Sequence, residues 1–427
     1  MSATLLANVR LIDPVAGTDA LGLLSFDRGG ITGRAETGAV PAGALDCDGL
    51  CLAPGLVDIG VKVGEPGERH KESFASAGRA AARGGVTTIV TRPDTTPAID
   101  TPEVLEFVTR RAAEECIVRI APMAALTKAR DGREMTELSF LQDAGAVAFT
   151  DGDRVVTDTR VLSRAFTYAR SLGARVVAHP QEPHLSAGAV ATSGKFASLR
   201  GLPAVSPVAE RMGLDRDIAL LEMTGVAYHA DQITTERALP ALERAKANGL
   251  DITAGTSIHH LTLNVLDIGD YRTFFKVKPP LRNESDRVAI IDAVRSGLID
   301  TISSMHTPQD EESKRLPFEA AASGAVGLET LLPAAMRLYH SGALTLPELW
   351  RAMSTNPARR LGLAGGTLEV GAPADLVLFD PDAPFVLDRA QLASKSKNTP
   401  FDLQRMEGKV RATWVGGVAV EGGVPGP

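Results

Sequence analysis

The stretch GLVDIGVKVGEPG, residues 55–67, sets acidic, basic and glycine positions into an apolar run. Side chains alternate along a strand, so Asp58, Gly60 and Lys62 are expected on one side and Ile59, Val61 and Val63 on the other. An inward-facing ammonium needs a carboxylate, because burying it unpaired is costly; Asp151, in AFTDGD, is the expected partner of Lys62. A catalytic zinc takes three protein ligands from His, Cys and carboxylate side chains, plus a water. The pairs whose spacing suggests such a site are His259–His260 in SIHHLTL and Cys47 with Cys51. Adjacent strand residues face opposite sides, so one site does not easily take both His259 and His260, and packing is the reading for them. Cys47 and Cys51 resemble half a zinc site with no second pair and read as ordinary strand residues. Asp151 and His179 read as hydrogen-bonded residues at strand ends. His70, His184, His229 and His340 show no ligand spacing, and the Ser-Lys pairs of SKSKN read as a solvated loop rather than an activated nucleophile.

These residues need a scaffold, and the chain alternates strand and helix signals through its middle. Short apolar or β-branched runs occur at 56–63, 86–91, 118–121, 146–150, 175–178, 226–228, 251–254 and 301–303. That is about the eight a closed barrel needs. Helical stretches at 73–83, 102–115, 158–172, 218–224, 235–247 and 286–296 lie between them, most ended by Gly or Asn-Gly. Repeated strand, helix, strand order with short connections predicts parallel strands wrapped by helices, a (β/α)8 TIM-like barrel of α/β class over 55–362. Residues 1–54 and 363–427 carry strand signals alone, and are expected to meet in one small composite β-sandwich beside the barrel. No internal repeat, coiled coil or low-complexity tract supports another architecture.

The 427 residues, 44% hydrophobic, can bury one large core and a smaller second unit. A net charge of −7 and a pI near 5.7, with both signs interspersed, argue against nucleic acid or an anionic membrane surface as partner. The N-terminal stretch reaches a charge at Arg10 before any long apolar run, and no segment has the apolar length of a membrane span. Three cysteines fit reduced thiols, and the expected location is the cytoplasm.

Several stretches together carry a more specific signal: APGLVDIGVKVGEPG, KESFASAGRAAARGGVTTIVTRPDTTPAID, VVAHPQE, HHLTL, KVKPPLR, GAVGLETLLPA, STNPARRLGL, GAPADLVLFDP and SKSKNTPF. In this order, over nearly the whole chain, they resemble the dihydroorotases found in bacteria and in multifunctional pyrimidine-synthesis proteins, within the amidohydrolase superfamily. The resemblance implies a zinc site of two histidines on the first strand, an aspartate after strand 4, histidines after strands 5 and 6, and an aspartate after strand 8. Asp151 and His179 retain two of those positions, while Gly60, Lys62, Gln232 and Met305 occupy the others. Met305 also removes the carboxylate that would serve as general base on a metal-bound hydroxide. The positions that recognise substrate differ too: the family arginine matches Gly64, one family asparagine matches Asp94, and another matches Lys278. Losing a bidentate cation and adding a carboxylate is expected to disfavour an anionic substrate.

The resemblance therefore implies a catalytically inactive member with a degenerate zinc site and no cofactor. Its expected role is that of a noncatalytic assembly partner of an aspartate transcarbamoylase catalytic chain, as a homo- or hetero-oligomer. The alternatives are a metal-dependent hydrolase of dihydroorotate or a related cyclic amide with an unusual zinc site, and a small-molecule sensor that keeps a pocket without chemistry.

Overall fold

The barrel strands arise where β-branched runs can be buried on both faces, as in the fully buried Val86–Thr91. The computed structural model of the chain describes residues 4–35 and 40–422; those parts of the two terminal segments that fall at 1–3, 36–39 and 423–427 lie outside the described residues. Leu56–Val61, Val86–Thr91 and Arg119–Pro122 form one parallel sheet, and Arg175–Ala178, Ala227–Ala230, Ile252–Ser257 and Thr301–Ser303 form another. The strand expected at 146–150 shrinks to a single bridging residue, because Gly145 and Gly152 turn the chain at positive φ on either side of it. Phe149 nonetheless links the two sheets, bridging Ala124 on one side and Val176 on the other. On the opposite seam, the Lys62 N–H donates to the His306 carbonyl at 2.9 Å, and Ser304 N–H donates to Asp58 at 2.8 Å. Eight positions thus follow one another around a ring.

The helices start where capping residues allow. Ser73 caps Phe74–Arg83 in a reciprocal capping box with Ser76, and Asp158 accepts from the N–H groups of Arg160 and Val161 at the start of Thr159–Ser171. Ala77, Ala80, Ala81 and Ala82 keep the first of these helices close to the barrel wall. A separate inner cluster contains Val57, Ile59, Val90, Ala121, Ala148 and Val177, plugged by Ala358 and Leu361 from Asn356–Leu361. This is the layered interior that makes such a barrel a packed core rather than a pore.

Both chain ends enter a single eight-stranded sheet. From one edge its order is Val418–Gly422, Lys409–Val415, Leu376–Asp380, Cys51–Pro54, Thr4–Asp13, Thr18–Asp27 and Gly30–Ala35, with Leu45–Asp46 alongside Thr4–Asp13. Cys51–Pro54 is the seam: it pairs in parallel with Thr4–Asp13 and antiparallel with Leu376–Asp380, then runs directly into the first barrel strand. The sheet curls until Phe26 and Trp414, with three strands between theirs in its order, meet edge to face at 5.5 Å. The expected sandwich is therefore one continuous curled sheet. Cys51 is a strand residue and Cys47 lies just beyond Leu45–Asp46; burial pushes their thiols up to about 12 and about 11. Residues 389–401, although C-terminal, leave this sheet and pack on the barrel, where Glu329 accepts from Ala393 N–H and Asn398 donates to the carbonyls of Thr307 and Gly324.

Candidate functional site

Alternation along the first barrel strand is broken at Gly60. The ladder slips between Ile59 and Val61, and Gly60 sits at φ +84°, where only glycine is at ease. Ile59 pairs with Val90 and faces the inner cluster, whereas Asp58 pairs with Ile89 on the helix side. Asp58 and Lys62 therefore do not share a face, contrary to strict alternation. Asp58 is fixed to the last strand by Ser304, and burial, opposed by Ser304, pushes its carboxyl up to about 6.

Lys62 does reach the barrel mouth, but its partner is Glu68 at 2.7 Å, with Asp94 at 3.9 Å. The expected pairing with Asp151 does not form. The reason is local: Glu68 lies on the next turn, where its N–H bonds back to Gly64 O at 2.6 Å, while Asp151 is taken up by the third-strand loop. Asp151 accepts from Leu126 N–H, Thr127 N–H and Thr127 Oγ1 at 3.1, 3.0 and 2.5 Å. Gly64 is sealed into its turn, since a Cβ there would lie 2.4 Å from Glu68 O.

Lys62, Asp94, Gln232, Lys278 and Met305 line one cavity of about 260 Å³ at the carboxyl ends of the strands. His179 lines an adjoining cavity of about 620 Å³, which shares Arg130, Asp153, Arg154 and Lys278 with the first. Burial, reinforced by Lys278, pushes the His179 imidazole down to about 3, so it is neutral at physiological pH. A Cβ on Gly60 would lie 3.0 Å from Met305 Sδ and 3.8 Å from Asp231 Oδ2, so Met305 covers that position. His259 and His260 sit on the short helix Ile258–Thr262 rather than a strand, because Ser257 caps it through His260 N–H. His260 Nδ1 bonds Ser257 Oγ at 2.7 Å, and His259 stacks on Phe401. His306 holds the following loop, its Nδ1 accepting from Gly327 N–H at 3.1 Å. Among the described residues no three His, Cys, Asp or Glu side chains come together as a metal-binding group. With Asp151 engaged by three donors of the third-strand loop, Lys62 bound to Glu68 and Met305 over Gly60, these residues do not fit the zinc that the resemblance implies.

The charges of the mouth pair with one another. Arg92 donates to Asp94 at 3.1 Å, so the aspartate at the family's asparagine position is neutralised. Asp153 is held by Arg130 at 2.7 Å and Lys278 at 3.2 Å; burial alone would raise its carboxyl, but Lys278, Arg92 and Arg130 together hold it well below the usual range. Asp231 is buried beside Gln232, and burial pushes it up to about 6. For Asp153, which motif matching did not reach, the sequence signal is the charge density of DGDR at 151–154, next to a strand end.

A parallel barrel whose mouth lies at the strand carboxyl ends, with an accessory sheet made of both termini, is the architecture of the amidohydrolase superfamily. The chain superposes on L-hydantoinase (dihydropyrimidinase) from Arthrobacter aurescens with a TM-score of 0.89 at 24% identity, over 100% of this chain and 98% of that one. Dihydropyrimidinase from Brevibacillus agri gives a TM-score of 0.84 at 20% identity over 99% and 95% of the two chains. At those identities the likeness establishes the fold alone. A profile described as Dihydro-orotase-like matches residues 49–238, and one described as Amidohydrolase family matches residues 322–421. A dihydroorotase-like protein of Pseudomonas putida is 40% identical over 97% of this chain and 98% of its own length. A dihydroorotase of Wolbachia sp. subsp. Drosophila simulans is 36% identical over 97% and 94%. The chain belongs to the dihydroorotase-like family of the amidohydrolase superfamily.

Proposed function

We propose that this member of a pyrimidine-metabolism family does not hydrolyse dihydroorotate and serves as a noncatalytic partner of an aspartate transcarbamoylase catalytic chain in the cytoplasm. The observation that carries the first half is the first-strand bulge: Gly60 at φ +84°, with Met305 Sδ 3.0 Å from where its Cβ would lie. Hydrolysis of a cyclic amide by this fold's metal chemistry needs a water whose pKa a metal lowers and a base to accept its proton. The residues at those positions supply neither. Lys62 contributes positive charge to the mouth instead, held by Glu68.

The second half rests on family membership and on a rigid barrel whose recognisable motifs persist around an unfit site. A barrel with outer helices and a curled sheet offers broad surfaces for assembly, and a stable contact there is expected to bury more than roughly 1,000 Å². No helix among the described residues is long and apolar enough to cross a membrane. Two assays test the reading. Purified protein is tested for dihydroorotate hydrolysis with zinc, cobalt or manganese, and no turnover above background is expected. Coexpression with an aspartate transcarbamoylase catalytic chain, followed by size-exclusion chromatography, is expected to give coelution. Metal-dependent turnover would replace this reading with that of an altered cyclic-amide hydrolase, and separate elution would remove the assembly role.

A further inference from the structure

The face of the barrel opposite the mouth, where the strands begin, carries a cationic hollow of its own. Arg170, Arg175, Arg359 and Arg360 line a cavity of about 230 Å³ there, and Asp251 is the one carboxylate of that lining among the described residues. Three elements bring the four guanidinium groups together. Arg170 lies in the last turn of Thr159–Ser171, Arg175 opens the strand Arg175–Ala178, and Arg359 and Arg360 lie in the last turn of Asn356–Leu361. Two glycine turns let the side chains lie close: a Cβ on Gly362 would be 3.6 Å from an Arg175 Nη, and one on Gly225 would be 3.6 Å from Arg170 Nε. Asp251 pairs with Arg360, which also donates to the carbonyls of Tyr228 at 2.6 Å and Asp251 at 3.1 Å. Arg360 Nε is buried without a hydrogen-bond partner. Arg170, Arg175 and Arg359 pair with no carboxylate among the described residues, since the single acid of the lining is taken. The carboxyl ends of the two helices add about half a negative charge each. Against four guanidinium groups, these and Asp251 leave a surplus of roughly two positive charges. Such crowding disfavours the compact chain unless an anion joins it.

We propose that this hollow binds a phosphoryl dianion, as inorganic phosphate or as the phosphate of a small monoester, between Arg170, Arg175 and Arg359. A phosphate monoester carries about −1.5 to −2 at neutral pH, which meets the surplus, whereas a monocarboxylate leaves about half of it standing. Guanidinium groups present paired N–H donors that match phosphate oxygens. The hollow is smaller than the roughly 300–1,000 Å³ of sites that enclose a whole small molecule, so it takes the phosphoryl group and leaves the rest of an ester in solvent. The site lies away from Lys62 and Met305, and it does not depend on how the mouth is read.

The test is calorimetric titration of the purified full chain, at low salt, with inorganic phosphate, glycerol 3-phosphate and succinate. At least one of the two phosphates is expected to bind, at least tenfold more tightly than succinate and with affinity falling as salt rises. Binding of both assigns the hollow to the phosphoryl group whatever carries it, and binding of inorganic phosphate alone assigns it to the free ion. Arg175→Met with Arg359→Met breaks no ion pair and should weaken binding at least tenfold. Asp251→Asn frees Arg360 from its carboxylate and should tighten binding several-fold, a gain that misfolding cannot produce and that decides the matter should the double variant not fold. No binding of either phosphate, equal binding of succinate, indifference to the double substitution, or weaker binding by Asp251→Asn would overturn the inference.

Discussion

Gly60→His is the substitution that would begin to rebuild a metal site, and the backbone resists it before any ligand geometry is reached. At φ +84° an L residue pays about 1–2 kcal/mol for the left-handed region. Its Cβ would lie 3.0 Å from Met305 Sδ, closer than van der Waals contact, although the flexible thioether can give way. The imidazole must then displace Met305 beside Asp231, which adds about 1–3 kcal/mol of overpacking. The expected total is about 2–5 kcal/mol, against about 1–2 kcal/mol for Gly60→Ala, where strain dominates. Chemical unfolding followed by the fluorescence of Trp350 and Trp414 measures both. Adding Met305→Ala to Gly60→His should recover the packing share and leave the backbone share, so the double-mutant cycle separates the two. Gly60→His as stable as the wild type, or fully rescued by Met305→Ala, would refute the backbone argument. The pair Gly60→His and Lys62→His is further expected to give neither zinc-dependent stabilisation nor dihydroorotate turnover, because Gln232, Met305 and Gly64 still lack ligand, base and carboxylate-pairing groups.

Four other outcomes follow from named contacts and burial. Glu210 and Arg282, 0% and 2% exposed, pair at 3.2 Å while Glu210 also accepts from Thr234 and Thr235; Glu210→Ala should cost about 3–5 kcal/mol in unfolding free energy by leaving the guanidinium buried and unpaired. Lys62→Met should cost no more than about 1.5 kcal/mol, because Lys71 keeps Glu68 paired, and a larger loss of melting temperature would mean that Lys62 does more than answer Glu68. Asp231 binds its proton more tightly folded, at about 6 against an ordinary 3.8, so its contribution is full below about pH 4 and is lost as pH rises through 6; Asp231→Asn should therefore gain on the wild type across that window by on the order of 2–3 kcal/mol. The buried imidazoles act in the opposite sense: burial holds His179, His229 and His260 near 3 and His259 near 4, below the usual 6.5, so acid unfolding of both proteins should set in as pH falls below about 6.5.

Much of this was legible in the residues. The order of β-branched runs and capped helices specified the barrel, because each signal is local: Ser73 and Asp158 cap where they stand, and Val86–Thr91 is apolar enough to be buried on both faces. Family motifs named the mouth positions, and five of them, Lys62, Asp94, Gln232, Lys278 and Met305, do line one cavity. Tertiary structure decided who pairs with whom. A one-residue bulge at Gly60 broke the alternation that joined Asp58 to Lys62, since period-two reasoning fails wherever one extra residue enters a strand. Lys62 found Glu68 six residues on instead of Asp151, which loop 123–127 had already taken with three donors. The meeting of Arg92, Arg154 and Lys278 was invisible for the same reason: they are far apart in sequence, and only closure of the ring puts them around one space.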